Sequence, residues 1–377
     1  MPVLDPLQMY RLPWSLTDNP VAWLEPTHAC SLACDGCYRQ NVLLHKPMAE
    51  VEQELATFAR LRKVDGYSIA GGEPLLHPEV VQIVVRVTAT GRKANLHTNG
   101  VGLTRELLHA LKQAGLVGLT FHVDTHQGRP GWEGSSEKDL NELRQDYADL
   151  VATEGGLACG FDCTVDQGTL EQVPDVLRWA GKNIDRVHQV LFLLDGVDAR
   201  EVVEVIARAE PSYQPAAYLA GTVDPASVKW LLGVRVGDGE KIHGYLGPKL
   251  MEAAQVGHHL VTGRYLAQAS PEALRAGLTA LLASAPFDRS ARAGAAAWLR
   301  GVAVNPRSAL RTQHMQSVLI HAMDVGADSH DDVCDGSPEM TVHDGKLVRS
   351  CRHEELRELG QALRGVPGET PASAPAG

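Results

Sequence analysis

The stretch at residues 27–40, THACSLACDGCYRQ, holds three of the chain's seven cysteines, Cys30, Cys34 and Cys37, spaced Cys-x3-Cys-x2-Cys. It follows VAWLEP (21–26), a short apolar run of strand length, so the thiols sit in a loop after a strand. Thiolates are soft ligands that suit zinc, copper(I) and iron–sulfur clusters. A structural zinc site wants four closed ligands, usually in two separated pairs. The nearest fourth donor, His28, lies two residues from Cys30 and would have to fold back. Ferredoxin-type clusters take a fourth cysteine and commonly a Cys-x2-Cys-x2-Cys run, which this spacing does not match. Three sulfurs on a cubane leave one iron open to a substrate or cofactor, as in catalytic metal sites.

Outward from this loop, short apolar runs alternate with helical patterns from about residue 22 to 209. AEVEQELATFARLRKV places Val51, Leu55, Phe58 and Leu61 on one helical face. GYSIAGGEP is a strand running into a glycine turn. PEVVQIVVRVTAT begins a helix near Pro78. KANLHTNG is a strand ending in Asn-Gly. TRELLHALKQAG is a helix capped by Thr104 and ended by Gly115, and VGLTFHVD is a strand. Helices near 136–153, 168–181 and 199–209 and strands near 157–165 and 187–194 complete six strand–helix repeats. Parallel neighbours need such crossovers, so the fold class is α/β, a partial (βα)6 TIM-like barrel or an open doubly wound sheet. Either binds ligands at the carboxyl ends of its strands, where the cysteine loop, GGEP, HTNG and HVDTHQGRP fall.

Beyond residue 210 the alternation weakens. Helices are expected at 226–233, 247–260, 270–284, 288–299 and 306–323, with two strands flanking HDG (343–345). The resulting division is an N-terminal extension (1–20), a core (21–210), a mostly helical substrate-side extension (211–330), a small hairpin with a terminal helix (331–364) and a disordered tail rich in Pro, Gly, Ala and Ser (365–377).

The formal charge of −11 argues against nucleic acid or an anionic membrane as the main partner. The apolar runs are far short of a transmembrane span, and the first residues lack a secretory signal pattern. A reducing, cytoplasmic setting is therefore expected, where clustered thiols point to metal or redox chemistry.

The cysteine spacing resembles the signature of the radical S-adenosylmethionine (SAM) superfamily. GGEP (Gly71, Gly72, Glu73, Pro74) after the second strand and HTNG, with Asn99, after the third resemble two further motifs of that family. The resemblance covers about residues 20–210. It implies that Cys30, Cys34 and Cys37 hold a [4Fe-4S] cluster whose fourth iron is chelated by SAM. One electron then cleaves the sulfonium to a 5′-deoxyadenosyl radical that abstracts a substrate hydrogen. It also implies that GGEP holds the SAM amino group, in keeping with close backbone approach at glycine and carboxylate–ammonium pairing. An electron donor such as flavodoxin or ferredoxin follows as a partner. The family often has an aromatic residue before the third cysteine. Here Gly36 stands there and Tyr38 follows, as in members with a C-terminal auxiliary-cluster domain.

Weaker features carry two readings each. Asp162, in GFDCTV, is either the polar residue with which the family contacts the SAM ribose or a packed strand residue. Cys159 and Cys163 share a strand face and read as small core residues. His122, Asp124 and His126 alternate at a strand end and either line the cavity or cap the following loop. In GHHLVTGRY (257–265), with His258, His259 and Tyr265, Arg264 reads as solvated rather than as an anion ligand. Cys334 and Cys351 flank MTVHDGKLV, a hairpin with Asp-Gly at its turn. The arrangement resembles the opening of the SPASM or twitch domains, but the later cysteines are missing. An auxiliary cluster would need His330, His343, His353, Cys159 or Cys163, so a degenerate hairpin over the barrel mouth is preferred. The expected substrate is a small or lipid-like molecule. The alternatives are a peptide, or a non-catalytic iron–sulfur or zinc protein.

Overall fold

The computed structural model describes residues 4–35, 37, 39, 41–220, 223, 228–322 and 336–350. A two-residue strand, β1 (Tyr10–Arg11), precedes β2 (Val21–Thr27). Then follow α1 (Met48–Leu61), β3 (Gly66–Gly71), α2 (Val80–Ala89), β4 (Lys93–Thr98), α3 (Arg105–Gln113) and β5 (Leu116–His122). The series continues through α4 (Asn141–Glu154), β6 (Ala158–Val165), α5 (Val173–Lys182), β7 (Gln189–Leu194) and α6 (Ala199–Ala209). From β2 to β7 every consecutive pair is parallel.

The side-chain period of two explains why these runs form this sheet. On one face Leu24, Ile69, Leu96, Phe121, Phe161 and Phe192 are buried in the main core. The facing helices close that layer; α1 contributes Val51, Leu55 and Phe58, all buried. Each such side chain contributes about 1.5–3 kcal/mol on burial. Cys159 and Cys163 belong to this outer layer with Phe161, as small core residues. The opposite face carries Trp23, Ser68, His97, Thr120 and Asp162 towards a central cavity. The caps at α3 form as expected: the Thr104 hydroxyl accepts from the Leu107 N–H, and Gly115 follows with φ of 100°. The α2 helix begins two residues past Pro78, which sits in the turn before it.

The C-terminal extension departs from expectation. It contains β8 (Ala217–Ala220), β9 (Val228–Gly237) and β10 (Ile242–Tyr245) before α7 (Pro248–Thr262), α8 (Pro271–Leu274), α9 (Gly277–Ser284) and α10 (Arg289–Val304). Then come β11 (His314–Ala322), β12 (Met340–His343) and β13 (Lys346–Arg349). The helices expected at 226–233 and 306–323 are thus strands, apart from a short 3-10 turn at Pro306–Leu310. Short apolar runs fit either period, and pairing decides between them. Here β11 pairs parallel with β7 and antiparallel with β9. The sheet therefore runs β1-β8-β9-β11-β7-β6-β5-β4-β3-β2, with β10 on β9.

A buried polar joint locks this added part to the core. Gln316 on β11 accepts from Arg235 Nε at 2.8 Å and donates to the carbonyls of Ala180 (3.0 Å) and Val187 (2.6 Å). Arg235 also pairs with Glu210 at 2.9 Å. The β12–β13 hairpin packs beside β2 and α1, with Asp344 and Gly345 at φ of 46° and 75° in its turn. Just before it, Asn19 donates to the Gly336 carbonyl at 2.8 Å and Arg62 to that of Ser337 at 2.6 Å. No helix among the described residues is long and apolar enough to cross a membrane.

Candidate functional site

The site starts where β2 ends. The Gly72 N–H donates to the Thr27 carbonyl at 2.8 Å, and the Glu73 N–H to that of Ala29 at 2.7 Å. A Cβ on Gly71 would stand 2.4 Å from the Thr27 oxygen, and one on Gly72 2.2 Å from the Ala29 oxygen. Both glycines thus permit close approach of the chain to itself at the root of the cysteine loop. Gly71 also has a φ of +106°, a region that favours glycine.

Glu73 is placed differently from the expectation of an ammonium partner. Its side chain is fully buried and does not line the cavity, nor does Pro74. One carboxylate oxygen accepts from the Thr98 hydroxyl (2.6 Å) and the Leu75 N–H (3.0 Å), and the other from the Asn99 N–H (2.7 Å). Thr98 and Asn99 at the end of β4, with Leu75, thus occupy three of the carboxylate's acceptor positions. Burial pushes its carboxyl above the usual range, and the donors oppose that rise. Glu73 therefore joins GGEP to the Thr-Asn-Gly turn. The Asn99 side-chain amide continues the chain of contacts, donating to Ser31 Oγ at 3.0 Å and reaching Cys30 Sγ at 3.7 Å.

Cys30, Cys34 and Cys37 all line one cavity of about 540 Å³, together with Gly71, Gly72 and Asn99. Cys30 and Cys34 are half-buried and Cys37 is exposed. The Cys37 N–H donates to the Cys34 carbonyl at 3.3 Å. Burial, the Asp124 carboxylate and the other two thiols push the Cys34 thiol up to about 12. Among the described residues no three Cys, His, Asp or Glu side chains close on a point to hold a single ion. The three cysteines share the lining of one cavity. Loading a metal group on them displaces the thiol protons. The donor set, three soft sulfurs with an amide N–H aimed at one of them, fits a cluster whose properties respond to such hydrogen bonds.

A second layer lies below the loop. His122 and Asp124 are 2.6 Å apart. Burial works against both charged forms, yet each holds the other: Asp124 lies well below the usual carboxylate range and His122 above the usual imidazole range. Asp124 also caps the short turn at Thr125–Gln127, so both readings of this trio apply, with His126 3.9 Å from Asp166. Arg129 donates to the carbonyls of Asn99 and His122, the latter at 2.8 Å. Asp162 faces the cavity, 3.5 Å from His97.

A sequence model of the radical SAM superfamily matches residues 24–150. This part of the chain is therefore similar to the radical SAM superfamily. Members of that superfamily use a [4Fe-4S] cluster and SAM. The chain is 39% identical to molybdenum cofactor biosynthesis protein 1 of Mus musculus over 106 residues, 26% of this chain and 16% of that protein. It is 30% identical to a PqqA peptide cyclase of Methylocella silvestris over 173 residues, 43% and 44% of the two chains. The chain thus spans less than half the length of these curated relatives. Among solved structures, Streptococcus suis SuiB bound to S-adenosylmethionine aligns at a TM-score of 0.39 with 16% identity, over 51% of this chain and 49% of that one.

Other expected residues fall away from the cavity that the cysteines line. His258 and His259 on α7 pair with Asp65 (3.3 Å) and Asp18 (2.9 Å), and Tyr265 packs on the His259 ring. His343 lies beside Asp344 in the hairpin. Tyr38, His330, Cys334, Cys351 and His353, with the terminal helix and tail, lie outside the described residues. Sequence reading missed Glu25, Arg39 and Glu339. Glu25 did carry a signal, a carboxylate inside an apolar strand; it pairs with Arg39, both fully buried.

Proposed function

We propose that the chain is a radical SAM enzyme in which Cys30, Cys34 and Cys37 hold the [4Fe-4S] cluster and Gly71, Gly72 and Asn99 border the SAM position. The carrying observation is that the three cysteines line one cavity together with inward-facing side chains of β2–β7, among them Trp23, His97 and Asp162. The bound cluster and SAM supply one-electron cleavage of a sulfonium and a hydrogen-abstracting radical. The chain's own residues do the rest. Glu73 holds the β4 turn so that Asn99 faces Cys30. The His122–Asp124 pair fixes polar groups below the loop, and Leu191, Leu193 and Leu319 add apolar lining that keeps water out. The volume lies in the range of small-molecule sites, which supports a small or lipid-like substrate. The similarity to a PqqA peptide cyclase supports a second reading, a peptide side chain entering the same cavity.

The test is anaerobic reconstitution, followed by iron and sulfide analysis and by assay for 5′-deoxyadenosine with dithionite and SAM. About four irons and four sulfides per chain are expected, with 5′-deoxyadenosine formed. Full cluster loading with none formed overturns the enzyme reading. Cell extracts and synthetic peptides, each scored for raised 5′-deoxyadenosine yield, separate the two substrate classes.

A further inference from the structure

Besides the cysteines, the cavity is walled by residues of the C-terminal extension that no motif marks. Glu339, directly before β12, lines it with Pro338, Trp230 and Leu319. The Glu339 side chain keeps 27% of its surface accessible and lies 3.5 Å from His321 on β11. The His321 ring stacks on Trp230 with centroids 4.0 Å apart and planes at 18°.

Across the same cavity stands Asp162 on β6. It is only 6% exposed, and its Oδ1 is buried with no hydrogen-bond partner. Its other oxygen is 3.5 Å from His97. Burial, Asp162 and Glu25 together push the Glu339 carboxyl up to about 8, so these acids feel one another. Glu25 is compensated by Arg39 and by the Ser350 hydroxyl at 2.5 Å. Asp162 and Glu339 are faced by histidines instead. A buried carboxylate oxygen without a donor is costly unless a ligand supplies one.

We propose that the cavity binds a protonated amine or guanidinium on the substrate between Glu339 and Asp162, with the apolar body of the molecule against Leu191, Leu193 and Leu319. Asp162 supplies a charge-assisted acceptor, Glu339 a second once the bound cation draws it into the ionised form and its proton leaves to solvent, and the face of Trp230 adds a surface attractive to cations. This rests on the radical SAM reading for the purpose of the site, but the binding itself is measured independently of turnover.

The experiment uses the full-length, cluster-loaded protein and two calorimetric probes, 4-phenylbutylamine and 4-phenylbutyrate. The ammonium probe should bind and the carboxylate probe should bind far more weakly. Glu339→Gln and Asp162→Asn, each checked for native circular dichroism, should each weaken the ammonium probe by about tenfold, the loss of one hydrogen bond to a charged group. Equal binding of both probes, or no weakening in either variant, overturns the proposal. If wild-type protein makes 5′-deoxyadenosine but shows no preference for the ammonium probe, this inference fails and the enzyme reading stands. If the preference is seen with no 5′-deoxyadenosine, the enzyme reading fails and the cation site stands.

Discussion

Strands β2–β6 face the cavity with Trp23, Ser68, His97, Thr120, His122 and Asp162, whereas β7, β9 and β11 face it with Leu191, Leu193, Leu319 and Trp230. The first region is polar, sits beneath the cysteine loop and is built from consecutive strand–helix units. The second is apolar and is assembled from strands far apart in the chain, since β11 pairs with β7 across more than a hundred intervening residues. Local strand order suffices to place the cysteine loop, while shaping the opposite wall requires long-range pairing.

The comparison is broken most severely at the cysteines. Replacing Cys30, Cys34 or Cys37 by Ala should abolish cluster loading and 5′-deoxyadenosine formation, read by iron analysis and product assay, while the fold persists by circular dichroism. Half-buried or exposed, these side chains add little core packing.

The joint between the regions comes next. Gln316→Ala removes the acceptor of the buried Arg235 guanidinium and the donor to two buried carbonyls. Arg235 keeps its Glu210 partner, but several buried groups each lose a hydrogen bond at about 1–3 kcal/mol, measured by denaturant unfolding. If the two regions unfold independently, the loss will appear in one transition alone.

A smaller effect is expected at the root of the loop. Gly72→Ala forces its Cβ against the Ala29 carbonyl, a clash of about 1–3 kcal/mol. Iron content should fall with stability, since the displaced backbone carries Cys30. Retained loading at native stability would show that the GGEP turn does not position the loop.

The smallest effect concerns pH. Glu339 holds its proton more tightly folded than unfolded, its value moving from 4.5 to about 8. Its contribution therefore favours the folded state below pH 4.5 and is lost as pH rises from there through about 8. Glu339→Gln removes this dependence, so the variant should gain in melting temperature relative to wild type above pH 8 and show no such gain below 4.5.

Several features were legible because they are local. The Cys-x3-Cys-x2-Cys loop, the Gly-Gly-Glu-Pro turn, the alternation over 21–210 and the Asp-Gly hairpin each depend on neighbours a few residues away. The helices expected at 226–233 and 306–323 failed because VKWLLGVRVG and HMQSVLIHA are short apolar runs whose state is set by strand partners. Glu73 was recognised as a motif residue, but its direction was not legible: the Thr98 hydroxyl and the Asn99 N–H, supplied by another strand, turn it inward. Glu339 carried no signal in sequence, since a glutamate before a hairpin reads as a surface residue.

The sequence by itself determined the thiol donor set, the parallel strand–helix core and the ends of strands at which its chemistry gathers, because spacing and periodicity act over short distances. Tertiary structure alone decided that the extension completes the sheet, that Glu73 braces rather than faces the cavity, and that Glu339 and Asp162 line the same cavity. Each of these depends on burial and pairing between segments that the chain itself keeps far apart.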